Sequence, residues 1–273
     1  MSAAPDPERD AARAFLDAVM RPRRRARPRV AEPLREAEAR EVETPHGKIA
    51  AWRLGVGPAV LLVHGWEDDN ALWTRLIDAL AARGRAAVVF DLPAHGFSEG
   101  DVCSPPIAAE AVGQVAAALG PIEAVCGHSF GCPASVLAME AGLAVERIAL
   151  IATPLGRRAR WDRAAEAMGV GEDVVARAKA LYEAQWPEAA RFDLSKAAAR
   201  MSARALFVHS ADDEQVSFAG AQSAAAAWPG AEFLLVDGLG HRLVAQDPDI
   251  VARVADFLDT PCRRAMAMAK DRG

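Results

Sequence analysis

Residues 124–131 read AVCGHSFG, and the fold predicted for the chain rests mainly on this segment. Ser129 stands between Gly127 and Gly131 directly after an apolar run, which is the G-x-S-x-G pattern of a strand, a tight turn and a helix. The glycines permit a turn so sharp that the serine hydroxyl stands clear of both flanking elements. Residues 132–142, CPASVLAMEAG, then read as a buried helix. The pattern therefore predicts that Ser129 is a nucleophile.

A serine nucleophile needs a base within hydrogen-bond reach and a carboxylate that orients the base. The chain has six histidines. Five of them lie in short turns, ahead of the first strand or at the end of a strand: His46, His64, His95, His128 and His209. His241 instead follows the strand-like run FLLV at 233–236 in a glycine-containing loop that can reach Ser129. We therefore predict that His241 is the base.

The acid is expected after a strand and between the serine and the histidine in the chain. Residues 210–216, SADDEQV, supply two adjacent candidates. Asp213 is preferred because it lies three residues before Val216, a spacing that suits a turn pointing one carboxylate inward. Asp212 is the alternative, and either residue could instead cap a helix. The turn after the run RIALIA at 147–152 offers no carboxylate.

Attack on a carbonyl creates an oxyanion that preorganised donors must stabilise, each by roughly 2.7–4 kcal/mol. The backbone N–H of Phe130 is one candidate, because it follows the nucleophile at the start of a helix. The second candidate is the backbone N–H of Trp66, in the turn HGW that follows the run AVLLV at 59–63. The sequence predicts an oxyanion hole formed by these two amides.

Four motifs between residues 40 and 260 resemble those of α/β-hydrolase-fold proteins and occur in the same order. They are HGW at 64–66, DLPAHGFS at 91–98, GHSFG at 127–131, and the loops that hold Asp213 and His241. Ala94 and Ser210 each replace a glycine that is common in the family. The resemblance implies a mostly parallel central sheet with helices on both faces, a small helical cap, and a catalytic triad of Ser129, Asp213 and His241.

Hydrophobic periodicity independently predicts an α/β fold. Strand-like runs near 48–54, 59–63, 86–90, 122–126, 147–152, 204–209 and 231–236 alternate with helical stretches such as 106–119, 217–228 and 247–258. Alternation of this kind favours a parallel sheet covered on both faces. Residues 41–44 are predicted to add an antiparallel edge strand.

The sequence predicts that the chain is divided into three parts. Residues 1–40 form an N-terminal arm, in which 11–20 is a short helix that packs on the body or on a second subunit. Residues 41–154 and 204–273 form the core domain. Residues 155–203 form the helical cap, with helices expected over 161–168, 172–185 and 194–201.

Composition and charge narrow the functional classes. The chain has 273 residues, 52% hydrophobic and 25% charged, which is ordinary for one globular domain. Its formal net charge of −5 gives no reason to expect nucleic acid or an anionic membrane as a partner. Residues 21–29 carry six arginines, but residues 1–45 hold ten arginines against nine acidic residues, so a charge-compensated surface arm is expected.

The sequence also predicts a cytoplasmic chain without a bound cofactor or metal. It has no apolar run of about 18 residues and no basic segment followed by an apolar one at its start. The four cysteines lack metal-binding spacing, and Cys126 and Cys132 are interpreted as small core residues rather than a disulfide. A monomer or a homodimer is expected.

The predicted activity is hydrolysis of a carboxylic ester of a small or medium acyl group through an acyl-enzyme. A small-molecule substrate is expected to contact four residues: Trp66, Phe130, Leu155 and Leu243. Thioesters, lactones and carbon–carbon bonds are alternative substrates for the same triad. A protein of this fold that binds a ligand without catalysis is a further alternative.

Overall fold

The structure is a computed structural model that describes residues 6–24, 28–154 and 158–259. One eight-stranded sheet has the order β1-β2-β4-β3-β5-β6-β7-β8. Strand β2 pairs antiparallel with β1 and β4, and the other neighbours are parallel. The strands are β1 Glu38–Val42, β2 Ile49–Leu54, β3 Ala59–Val63, β4 Ala86–Phe90, β5 Ile122–His128, β6 Arg147–Ile151, β7 Arg204–Ser210 and β8 Glu232–Val236. The prediction of a mostly parallel sheet is confirmed.

Helices cover both faces of this sheet. In chain order they are α1 Pro7–Met20, α2 Thr74–Ala81, α3 Pro105–Leu119, α4 Gly131–Glu140, α5 Arg158–Met168, α6 Glu172–Gln185, α7 Pro187–Arg191, α8 Leu194–Ala198, α9 Phe218–Ala227, α10 Gly240–Leu243 and α11 Pro248–Asp259. Strand β3 is buried at every position because successive side chains enter opposite cores. Leu61 and Val63 pack with α3, α4 and α9, whereas Val60 and Leu62 pack with α2 and α11.

Some element boundaries differ from the sequence prediction. The antiparallel edge strand exists, but it spans Glu38–Val42 rather than 41–44. Four of its five residues are exposed, so pairing with β2 and not an apolar pattern defines it. Helix α7, Pro187–Arg191, was not predicted, because Pro187 reads as a break although it occupies the first turn of a helix.

Helix α1 begins earlier than the predicted residues 11–20. Asp6 caps it by accepting a hydrogen bond from the Arg9 backbone N–H at 3.1 Å, and Pro7 suits the first helical position. The segment between β6 and β7 carries α5 to α8. The buried face of α1 packs against α5 and α6 of that segment.

Two cysteines lie in the core beside the Ser129 turn. Cys126 and Cys132 are buried and form no disulfide, as predicted, and burial raises the pKa of the Cys132 thiol to about 12. Cys262 lies outside the described residues. Among the helices of the described ranges, none has the length and apolarity needed to cross a bilayer.

Candidate active site

Ser129 occupies the sharp turn between β5 and α4. Its φ of 49° lies in the left-handed region, which is costly for a residue other than glycine and typical of functional turns. Its backbone N–H donates to the Ile151 carbonyl oxygen at 2.9 Å. A Cβ at position 131 would lie 2.2 Å from the Val63 carbonyl oxygen, so Gly131 allows α4 to start close against β3. The predicted strand, turn and helix are all present.

The structure brings the predicted serine, histidine and aspartate together. His241 Nε2 lies 2.9 Å from Ser129 Oγ, and His241 Nδ1 lies 2.7 Å from Asp213 Oδ2. Because Asp213 Oδ2 accepts from Nδ1–H, Nε2 is left to accept the Ser129 hydroxyl proton. These contacts join three elements that are far apart in sequence into one hydrogen-bonded chain.

Asp213 is held by more than His241. Its Oδ1 accepts the backbone N–H groups of Gln215 and Val216, each at 2.9 Å. His209 Nε2 lies 3.2 Å from Asp213 Oδ2 and 3.0 Å from the Val216 carbonyl oxygen. Both partners are acceptors, so Nε2 carries a hydrogen and donates it to these two oxygens. Burial raises the pKa of Asp213, but hydrogen bonds from His209, His241 and Val216 together hold it well below its usual range. Asp213 is therefore ionised near neutral pH.

Asp212, the alternative acid, has different partners. Its side chain accepts from the Ser210 hydroxyl and from the Gly240 backbone N–H, the latter at 3.1 Å. These hydrogen bonds lower the pKa of Asp212. Asp212 thus braces the loop before His241, whereas Asp213 contacts the imidazole.

His128, which was not predicted as a site residue, supports His241 from the strand side. The two imidazole rings lie 5.1 Å apart between centroids, and His128 Nε2–H donates to the His241 carbonyl oxygen at 2.9 Å. Burial and the neighbouring His241 lower the pKa of His128 to about 4. His128 is therefore neutral near pH 7 and fixes the backbone of the loop that carries His241.

The depressed pKa of His128 predicts an acid-sensitive fold. Between about pH 4 and 6.5 the unfolded chain binds a proton at His128 that the folded chain does not, so stability falls as pH falls through this window. From about pH 7.5 to pH 5, His128 alone should cost on the order of 2 kcal/mol of unfolding free energy. His128→Gln keeps a donor for the His241 carbonyl and should lose this part of the pH dependence. Urea unfolding of the wild type and of His128→Gln at the two pH values measures this difference. An equal change in unfolding free energy between the two pH values in both proteins would contradict the lowered pKa of His128.

A salt bridge connects the His241 loop to the turn that follows β3. Arg242 Nε and Nη2 donate to the two carboxylate oxygens of Asp68 at 3.0 and 2.8 Å. Burial raises the pKa of Asp68, but the hydrogen bond and charge of Arg242 lower it overall. The pair fixes two loops that are 174 residues apart in sequence.

Trp66 and Phe130 lie side by side next to Ser129. Their ring centroids are 5.2 Å apart in an edge-on arrangement. Both line a cavity of about 1220 Å³ that also contains Ser129 and His241. The segment between β6 and β7 contributes Trp161, Tyr182 and Phe192 to its wall. The cavity is large enough for a substantial organic molecule.

The other two predicted substrate contacts have different outcomes. Leu243 is 60% exposed and is absent from the described cavity wall, to which its neighbour Arg242 contributes instead. One step along α10 turns a side chain by about 100°, so Leu243 and Arg242 point in different directions, and a substrate contact at Leu243 stays a prediction. Leu155 lies outside the described residues. Within the described ranges, no group of three or more His, Cys, Asp or Glu residues is arranged to hold a metal ion.

The strand order and the turn at Ser129 define an α/β-hydrolase fold. The model of the Alpha/beta hydrolase family matches residues 60–254, which is most of the chain. The chain therefore belongs to the alpha/beta hydrolase family.

Individual relatives and solved structures agree with this family. A pimeloyl-[acyl-carrier protein] methyl ester esterase from Xanthomonas campestris pv. campestris (strain B100) is 29% identical over 240 residues, covering 73% of this chain and 94% of the relative. An esterase structure from Rhodococcus sp. ECU1013 has a TM-score of 0.64 at 20% identity, covering 82% of this chain and 98% of that one. The Pyrococcus furiosus esterase Pf2001 has a TM-score of 0.67 at 18% identity, covering 87% and 98%. The two structures share the fold.

Proposed function

We propose that this protein hydrolyses carboxylic esters with Ser129 as nucleophile, His241 as general base and Asp213 as the residue that orients the base. The observation that carries the proposal is the continuous hydrogen-bonded chain from Ser129 Oγ through His241 to Asp213, with contacts of 2.9 and 2.7 Å. Ser129 and His241 line a cavity that is also lined by aromatic side chains, and this supports the proposal that the substrate is a small organic molecule.

The proposed reaction has two steps. His241 Nε2 takes the hydroxyl proton as Ser129 Oγ attacks the ester carbonyl carbon, and the resulting imidazolium is stabilised by ionised Asp213. Collapse of the tetrahedral intermediate breaks the bond to the alcohol oxygen, which leaves with the proton from His241 and forms the acyl-enzyme. Water then attacks the acyl-enzyme with the same proton transfers, releases the acid and restores Ser129.

The backbone N–H groups of Trp66 and Phe130 are the proposed oxyanion hole. Phe130 is the N-cap residue of α4, where the helix dipole favours negative charge. Trp66 lies in the turn after β3, and its ring contact with Phe130 supports a fixed spacing between the two backbone segments. The salt bridge between Asp68 and Arg242 supports the same role, because it ties this turn to the His241 loop.

Steady-state hydrolysis of p-nitrophenyl esters from acetate to decanoate tests the proposal. We expect turnover that saturates with substrate, because the proposed site forms an acyl-enzyme from any ester that the cavity admits. Acyl-coenzyme A thioesters and small lactones run in parallel test the alternative substrates. Faster hydrolysis of thioesters would reassign the substrate class. Lack of turnover of the esters, the thioesters and the lactones would favour a protein that binds a ligand without catalysis.

The Xanthomonas relative, which is named for the methyl ester of pimeloyl-[acyl-carrier protein], suggests a narrower class of substrate to test. We propose a methyl ester of a carrier-bound acyl chain as the first physiological candidate. The direct comparison is methanol release from pimeloyl-[acyl-carrier protein] methyl ester and from dimethyl pimelate. A higher kcat/KM for the carrier-bound ester supports the candidate, and equal values argue against recognition of the carrier.

A further inference from the structure

The N-terminal helix shares an apolar cluster with residues 158–203 between β6 and β7, which we call the cap segment. Helix α1 contributes Ala12, Phe15, Leu16, Val19 and Met20, and the cap segment contributes Trp161, Val175, Ala178 and Tyr182. The ring of Trp161 makes edge-on contacts with those of Phe15 and Tyr182, with centroid distances of 5.9 Å to each. Because the burial of apolar side chains is favourable, this cluster fixes α1 to α5 and α6.

The chain that leaves α1 is tied to the loops beside the active site. The Met20 carbonyl oxygen accepts from the Cys103 backbone N–H at 2.7 Å. The Arg23 backbone N–H donates to Glu67 Oε1 at 3.0 Å, and Glu67 directly follows Trp66 of the proposed oxyanion hole. Arg24 Nη2 donates to the Gly100 carbonyl oxygen at 2.6 Å. Residues 20–24 are therefore anchored to the core as well as to the cap segment.

The same N-terminal segment lines the cavity that contains Ser129. Ala18, Val19, Arg21 and Arg23 form part of the wall. Val19 is buried in the cluster, whereas Ala18 is exposed on the neighbouring part of the helix surface. A methyl group at position 18 leaves space in the cavity that a larger side chain would occupy.

We propose that residues 7–24 form a second half of the substrate cap, and that Ala18 is a specificity-determining residue that sets how long an acyl chain the cavity accepts. This inference rests on the proposed ester hydrolysis and adds its substrate range. The cap is thus built from two segments that are remote in sequence, α1 with residues 21–24 and α5 to α8. Because Ser129 and Ala18 line the same cavity, this proposal expects only a long acyl group bound at Ser129 to contact position 18.

Substitutions at position 18 test the inference, and position 14 provides the control. Ala14 is an exposed alanine one helical turn earlier on α1 and is not part of the described cavity wall. Ala18→Trp should lower the octanoate-to-acetate ratio of kcat/KM by about tenfold or more, because even one methylene misplaced in an apolar pocket changes kcat/KM by about tenfold. Ala18→Leu should give a smaller decrease in the same direction, and Ala14→Trp should change the ratio less than about twofold.

The outcomes separate this inference from the proposed function. An unchanged ratio in both position 18 variants, with acetate turnover at the wild-type level, would overturn the role of Ala18 and leave ester hydrolysis intact. An equal decrease in Ala14→Trp would also overturn it. Absence of turnover by the wild-type protein on every ester would overturn both.

Discussion

Replacement of Ser129 by alanine is expected to lower kcat/KM for p-nitrophenyl esters by a factor on the order of 10⁴ to 10⁶. The Ser129 hydroxyl is the group that His241 Nε2 contacts at 2.9 Å, and alanine leaves the imidazole without a nucleophile to activate. The fold should persist, because the Ser129 backbone N–H keeps its hydrogen bond to Ile151. Thermal unfolding of the variant beside initial-rate kinetics measures both effects.

Ser135 is the matched control for Ser129. It is a buried serine on α4, six residues further along, whose hydroxyl donates to the Gly131 carbonyl oxygen at 2.7 Å. Ser135→Ala should cost about 1 kcal/mol of stability through the lost hydrogen bond and leave kcat/KM within about tenfold of wild type. If Ser129→Ala retained more than about a hundredth of wild-type kcat/KM, Ser129 would not be the nucleophile.

Replacement of Asp213 by asparagine is expected to lower kcat by about 10³- to 10⁴-fold. Asp213 accepts the Nδ1–H of His241 at 2.7 Å, and its lowered pKa keeps it ionised. An amide removes the charge that stabilises the imidazolium, and it can turn a donor toward His241 and favour the wrong tautomer. Single-turnover kinetics with p-nitrophenyl acetate should show a lower acylation rate constant, whereas the amplitude, which counts active sites per chain, should equal that of the wild type.

Asp212→Asn is the control for Asp213. Asparagine keeps an oxygen that can accept the Gly240 N–H, so the loop before His241 stays braced. Activity should remain within about tenfold of wild type, since Asp212 contacts the loop backbone and not the imidazole. If Asp212→Asn were the more damaging substitution, the two neighbouring carboxylates would exchange roles.

The fold could be predicted from the sequence because its strongest signals are local. Strand β3 is a five-residue apolar run, and the glycines around Ser129 specify a turn that other residues would block. The weakest assignment was β1, whose exposed residues carry no apolar pattern and are ordered by pairing with β2. Pairing between strands is a tertiary property that a short window of sequence does not encode.

The candidate site was predicted less completely than the fold. The positions of Ser129, Asp213 and His241 follow from motifs, but His128 was set aside as a residue of a glycine-flanked turn and His209 as the end of a strand. The spacing between His209 and Asp213, four residues across the end of β7, was the available signal for the first contact. The contact of His128 with the His241 carbonyl oxygen depends on how the end of β5 packs against the His241 loop, so the sequence offered no signal for it.

Covalent trapping of the wild-type protein tests whether Ser129 is an activated nucleophile. A fluorophosphonate reacts with a serine that a neighbouring base has activated, and mass spectrometry of the digested protein locates the adduct. We expect one adduct per chain, on Ser129, which is absent from Ser129→Ala and forms much more slowly in Asp213→Asn. Lack of reaction, or an adduct on a different serine such as Ser210, would contradict the assignment of Ser129 as the nucleophile.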